Sequence, residues 1–278
     1  MTDWVTRLRR KAELRRRAGL ARNLRVRGPA DPVIDLAGND YLGLSRHPAV
    51  VAAATRALRD YGLGATGSRL VRGTTDAHAA LESELAALTG WPAALVYSSG
   101  YLANLGALRA LAGPRTTILS DAHAHASLID GCRATRAETV VLPHASVPAV
   151  RDALGAATGS AVVVTESVFS VDGDLAPLAE LHAACLEHDA LLLVDDAHAL
   201  GVLGPRGAGG VAAAGLAGAT NLVVTATLSK AVGAAGGVVA GPAELIAHLV
   251  DTGRTFIYDT ALPPAVAAGA RAGLALLR

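Results

Sequence analysis

An α/β fold with a mostly parallel sheet is what this 278-residue sequence predicts. Short apolar runs rich in valine and leucine recur along the chain, and stretches with leucine or alanine at helical spacing lie between most of them. Strands separated by helices cannot close tight hairpins, so they pair in parallel and are buried on both faces. Hydrophobic residues make up 51% of the chain, enough to fill one large core or two smaller ones. Polar residues follow directly after several of the apolar runs, where ligands collect in such sheets.

Residues 1 to 27 carry ten of the 25 basic residues and two acids, Asp3 and Glu13. Trp4 and Leu8 stand one helical turn apart, so a basic helical arm is expected there, either a solvated face or an arm beside a phosphate-bearing substrate. Its acids and its lack of serine argue against a transit peptide. The rest of the chain is acidic, with 15 basic against 22 acidic residues, and aromatics are only 3%, which argues against nucleic acid as a partner.

Val33-Ile34-Asp35-Leu36 reads as a short strand, Gly38 to Gly43 as a turn, and His47 to Arg59 as a helix opened by Pro48. Gly62-Leu-Gly64-Ala-Thr-Gly67 spells a dinucleotide-binding pattern, but a helix precedes it and more loop follows, so a nicotinamide site is rejected. Leu81, Leu85 and Leu88 mark one helix, and Leu102, Leu105, Leu108 and Leu111 another, with the strand 94–97 between them. Six further strands are expected at 117–119, 140–142, 162–164, 191–194, 222–224 and 238–239, with a helix from Pro177 to His188. The richest apolar window, 231 to 250, is broken by Pro242, Glu244 and His248 and is no membrane span. Cys132 and Cys185 are too few for a disulfide framework, so a reducing, cytoplasmic setting is expected, with both as buried apolar side chains.

The chemistry gathers at strand ends. Lys11 and Lys230 are the only lysines, and Lys230 follows Leu222-Val223-Val224 among small residues. A lysine in such a pocket loses its proton more easily than one on a surface and can attack carbonyls. Ser98-Ser99-Gly100-Tyr101 opens a helix, where free amides and a hydroxyl can cradle an anion or simply form an N-cap. His123 and His125 lack the partners of a metal site. Glu166 and Ser170 follow strand 162–164, Asp195, Asp196 and His198 follow strand 191–194, and Thr227 precedes Lys230. An anion cradle, a carboxylate and a lone lysine at converging strand ends suit pyridoxal 5'-phosphate, whose phosphate, pyridine nitrogen and aldehyde need those three groups.

At the level of motifs, the chain resembles the α-oxoamine synthases, a family of fold-type I pyridoxal phosphate enzymes. The resemblance rests on Asn39-Asp-Tyr-Leu-Gly43, Ser99-Gly-Tyr-Leu-Ala-Asn104, His125-Ala-Ser-Leu128, Glu166-Ser-Val-Phe-Ser170-Val-Asp-Gly-Asp174, Val194-Asp-Asp-Ala-His198, Thr227-Leu-Ser-Lys230 and Ile257-Tyr-Asp-Thr260-Ala-Leu-Pro-Pro264. It implies the large domain of that fold, with a seven-stranded, mostly parallel sheet flanked by helices, and a homodimer. It also implies a decarboxylative condensation of an amino acid with an acyl thioester, here L-alanine with a pimeloyl thioester. Alternatives are a synthase using glycine or serine, or a chain that binds cofactor without turnover. An apolar Leu70 favours a long acyl chain.

By the same resemblance, Lys230 holds the cofactor covalently and moves the substrate α-proton, Asp195 pairs with the ring nitrogen, and His125 stacks on the ring. His198 and Ser170 address the ring hydroxyl. Ser99, Gly100, Tyr101 and Thr227 hold the phosphate, with Thr260 reaching in from a second subunit. Asn39, Arg22 and Ser68 contact substrate, while Asp196 and Glu166 are either structural or functional. The domain expectation is an arm with the first strand over 1–37, a cofactor-binding domain over 38–264, and over 265–278 the start of a connection to a small C-terminal domain. That domain would carry a carboxylate-binding arginine, a role Arg278 does not fill.

Overall fold

The structure, a computed structural model, describes residues 3–29 and 31–277. Arg278 lies outside them. The chain divides into two units, residues 1–38 and 39–278.

In the first unit, helix α1 (Trp4–Arg17) is capped by Asp3, whose carboxylate accepts the Thr6 amide at 2.8 Å. None of its residues is buried. Glu13 pairs with Arg16 and Arg17 one turn on. The strand expected at 33–36 is not formed. Ile34 and Leu36 are exposed, and the Asp35 carboxylate accepts the amides of Ala37 (3.0 Å) and Gly38 (2.9 Å), closing a turn. Local β-propensity had no strand to pair with.

The second unit is built on the sheet. After α2 (Pro48–Tyr61) and α3 (Asp76–Thr89), strand β1 (Ala93–Tyr97) leads to α4 (Gly100–Leu111). Then come β2 (Thr116–Asp121), α5 (Ala126–Arg133), β3 (Glu138–Leu142), α6 (Val147–Ala156), β4 (Ser160–Glu166), α7 (Leu178–Glu187) and β5 (Leu191–Asp195). A short α8 (Gly210–Ala213) precedes β6 (Leu222–Thr227) and β7 (Gly237–Gly241), and α9 (Ala243–Thr252), α10 (Arg254–Ile257) and α11 (Pro264–Leu276) complete the unit. The seven strands lie in the order β1-β7-β6-β5-β4-β2-β3. All pairs are parallel except those of β7, which is antiparallel to both β1 and β6.

The pleat explains the continuous apolar runs. Val163, Leu192, Val194, Leu222 and Val224 face one core with Leu81, Leu85 and Leu181, whereas Val162, Val164, Leu193 and Val223 face the other with Leu108, Leu128 and Leu249. Cys132 and Cys185 are buried, and burial pushes their thiols up to about 11 and about 12. Most of the stretch 265–278, expected to begin a connection, lies in α11 (Pro264–Leu276), whose Ala267, Ala270 and Leu274 belong to the core. Among the described residues no helix is long and apolar enough to cross a membrane.

One buried ion pair ties the front of this unit together. Arg69, 7% exposed, donates to both oxygens of Glu82 (2.9 and 3.1 Å) and to the Val96 carbonyl (3.1 Å), with its guanidinium over the Phe256 ring.

Candidate active site

The carboxyl ends of β1, β2, β4, β5 and β6 share one edge of the sheet, and a cavity of about 270 Å³ opens there. Ser99, Gly100, Tyr101, His125, Asp195, His198, Thr227 and Lys230 all line it, joined by Asn104, Ser127, Glu166, Ala197 and Ser229. A wider groove of about 550 Å³ between α2, α3 and α11 has no lysine, histidine or serine in its lining, and its Arg271 is engaged by Glu84.

Close packing at this edge depends on missing side chains. A Cβ at Gly100 would lie 3.0 Å from the Thr227 Cβ, and one at Gly237 would lie 2.3 Å from the Ser99 carbonyl oxygen. These glycines let the first turn of α4 approach the end of β6. Ser99 caps α4, its hydroxyl accepting the Leu102 amide at 3.2 Å, and the amides of that turn point toward the cavity end of the helix. Thr227 donates to the Gly236 carbonyl (3.0 Å) and sits 2.8 Å from the Ser229 hydroxyl.

A polar chain runs through the lysine. Lys230 Nζ donates to His198 Nε2 at 2.7 Å, so His198 carries its hydrogen on Nδ1 and donates to the Tyr41 hydroxyl at 2.7 Å. Tyr41 in turn donates to Asn39 Oδ1 at 3.1 Å. Burial, opposed by the charges of Asp195 and Glu166, holds the Lys230 amine below its usual range. Burial and the Lys230 charge push His198 down to about 4, so its ring is neutral.

A second chain runs through the carboxylate. The two amide hydrogens of Asn104 go to Asp195 Oδ2 (2.7 Å) and to the Ser127 hydroxyl (2.8 Å). Ser127 then donates to His125 Nδ1 at 2.7 Å, leaving the hydrogen of His125 on Nε2. Asp195 also accepts the Ala197 amide at 3.0 Å. Burial raises the Asp195 carboxyl against these donors. Glu166, paired in register with Asp195, is pushed up to about 7 by burial first and by the Asp195 charge second. Asp196 turns away to Ser167 and the Gly210 amide.

Other expected residues lie elsewhere. Ser170 is exposed in the turn after β4, and Thr260 is exposed in the loop before α11, both outside the cavity lining. Ser68 is half-buried, its carbonyl capping the turn Arg69–Gly73. Arg22 belongs to the first unit, exposed and outside any helix or strand. The Tyr101 hydroxyl donates to Asp130. His123 stacks on His144, with ring centroids 3.9 Å apart, away from His125. Sequence reasoning assigned no role to Asn104, Ser127, Tyr41 or Ser229. For Asn104 a signal existed: a lone amide on a helix face otherwise made of Ala103, Ala107 and Leu108.

The chain belongs to the aminotransferase class I and II family, whose model matches residues 31–276. Among its relatives, 8-amino-7-oxononanoate synthase from Mycolicibacterium smegmatis is 59% identical over 95% of this chain and 70% of that protein. The protein of the same name from Mycolicibacterium gilvum is 57% identical with the same coverage. A serine palmitoyltransferase variant from S. paucimobilis with bound PLP–myriocin aldimine superposes with a TM-score of 0.88, at 34% identity, over 99% of this chain and 73% of that one. The 8-amino-7-oxononanoate synthase of Francisella tularensis gives 0.77, at 31% identity, over 89% and 70%.

Proposed function

We propose that this chain condenses L-alanine with a pimeloyl thioester, releasing carbon dioxide and a free thiol and forming 8-amino-7-oxononanoate for biotin synthesis. The cofactor is pyridoxal 5'-phosphate. What carries the reading is a half-buried amine and a buried carboxylate in one cavity, in a chain 59% identical to a synthase of that name.

The residues present fit that cofactor. Asp195 is buried and takes its hydrogen bonds from two neutral donors, so a protonated ring nitrogen is the partner that would offset its desolvation. The α4 amides with Ser99 and Thr227 suit a phosphate, and His125 stands ready to lie against a ring. When bound, the cofactor supplies an aldehyde for amine capture and a ring that takes up the electron pair left at the α-carbon.

The side chains do the rest. Lys230, its proton loosened by burial, is the residue that would hold the cofactor through its aldehyde carbon and, once displaced by the substrate amine, would be placed to carry the α-proton. His198 accepts a hydrogen bond from that amine and so sets its direction, while Tyr41 and Asn39 fix the imidazole tautomer. Asn39 and Ser68 are proposed substrate contacts, and Ser170, exposed outside the cavity lining, takes no part in holding the ring. Thr260 is proposed to complete the phosphate site of a second copy, which makes the active form a homodimer.

The experiment is thiol release from pimeloyl-coenzyme A by the cofactor-loaded protein, with mass detection of 8-amino-7-oxononanoate. Release with L-alanine supports the reading. Release only with glycine or serine, or cofactor absorbance without release, overturns it.

A further inference from the structure

Outside the cavity, one imidazole ties three neighbouring strand ends together. His144, two residues beyond β3, places Nδ1 at 2.8 Å from Asp121 Oδ1 at the end of β2 and Nε2 at 2.8 Å from Asp174 Oδ2 in the connection after β4. Carboxylates only accept, so both contacts are hydrogen bonds only when both ring nitrogens carry hydrogen, which is the imidazolium. The groups facing it are Asp121, Asp174 and the stacked His123 ring, which itself lies 3.8 Å from Asp172, with the Phe169 ring edge-on. The two carboxylates hold the His144 pKa above its ordinary value, Asp121 most strongly.

The two anchors are unequal. Asp121 also accepts the His123 amide (2.8 Å) and the Ala145 amide (2.8 Å), and its side chain is 8% exposed. Asp174 has a side chain 39% exposed, and its second oxygen has no partner. Loss of one proton therefore leaves the remaining N–H on Asp121 and frees Asp174 to water. Asp174 belongs to the hairpin Val168 to Leu175, held by Phe169 N–H to the Asp174 carbonyl and Gly173 N–H to the Phe169 carbonyl, both 3.0 Å. That hairpin begins two residues past Glu166, and Asp121 begins the loop that carries His125, so both sides of the latch border the cavity.

We infer that His144 is a positioning residue, a proton-operated latch that as an imidazolium clasps the 168–175 hairpin to the loop bearing His125 and as a neutral ring lets the hairpin go. It goes beyond the proposed reaction, because the latch is a property of this chain's own residues with or without turnover.

Imidazole resonances of nitrogen-15-labelled protein, followed with amide exchange of Phe169 and Gly173, test it. His144 should titrate above the free-histidine value of about 6.5. Exchange of the two amides, corrected for its intrinsic pH dependence, should rise about tenfold as the ring loses its proton. Asp174→Asn, on the exposed side, should lower the His144 pKa and abolish the pH dependence of exchange, and His144→Gln should leave it flat. A His144 ring that titrates at or below the free value overturns the latch. So does hairpin exchange that ignores the titration, or an Asp174→Asn protein that behaves as the parent. None of these readouts depends on which substrates are condensed.

Discussion

Glu166 and Asp195 face each other in register across β4 and β5, yet Asp195 is supplied by the Asn104 side chain and the Ala197 amide, while Glu166 has a backbone donor from His125 and its Oε1 has no partner. Two buried carboxyls this close cannot both ionise cheaply, and the undersupplied one keeps the proton. With its carboxyl pushed up to about 7 from an ordinary 4.5, Glu166 makes the folded state bind the extra proton between those values. Stability therefore falls as pH rises from 4.5 to about 7 and levels off above. Glu166→Gln should remove this share of the slope and be up to ~3 kcal/mol more stable above pH 7, read by denaturant titration across pH.

Lys230→Ala should leave the far-ultraviolet dichroism unchanged and abolish borohydride-fixable cofactor. Among the described residues Lys230 is the one lysine in the cavity lining. A variant that still fixes cofactor under borohydride would refute the assignment.

Tyr41→Phe breaks the chain from Lys230 to Asn39 in the middle. The variant loses two neutral hydrogen bonds, to His198 and to Asn39, and the loss at His198, next to the lysine, should lower kcat/KM about 3- to 10-fold, with the fold unchanged. Kinetics with saturating cofactor check it, and an unaltered rate would mean the His198 tautomer is held by other means.

Arg69→Met removes the cation from a buried pair and strands Glu82 with only the Val96 amide. Leaving such a charge unpaired costs about 3 to 5 kcal/mol. Equilibrium unfolding should show that loss, and the double change Arg69→Met with Glu82→Leu should recover part of it.

Much of the framework was legible because buried parallel strands read as unbroken apolar runs: Val162-Val163-Val164 and Leu191-Leu192-Leu193-Val194 could be little else. The residues after those runs were legible too, since strand ends are where such sheets place polar groups. Tyr41 was not, because its partner His198 is 157 positions away and only folding brings them together. Asn104 and Ser127 act through Asp195 and His125 from inside helices α4 and α5, where no strand-end rule looks. The turn at Asp35 went the other way, a β-prone run whose own carboxylate captured its backbone. The latch at His144 was invisible for the same reason as Tyr41, three short loops meeting from separate crossovers.

The position of β7 has a consequence for how the chain is made. Strand β1 touches the sheet only through β7, with Ala93 opposite Gly241, so about 140 residues must follow β1 before its backbone can be paired. At ribosomal speeds of roughly 5 to 20 residues per second, β1 waits on the order of ten seconds with a bare apolar edge. The nascent chain is most prone to clumping during that interval, and a slow final zippering of β7 between β1 and β6 should limit its folding.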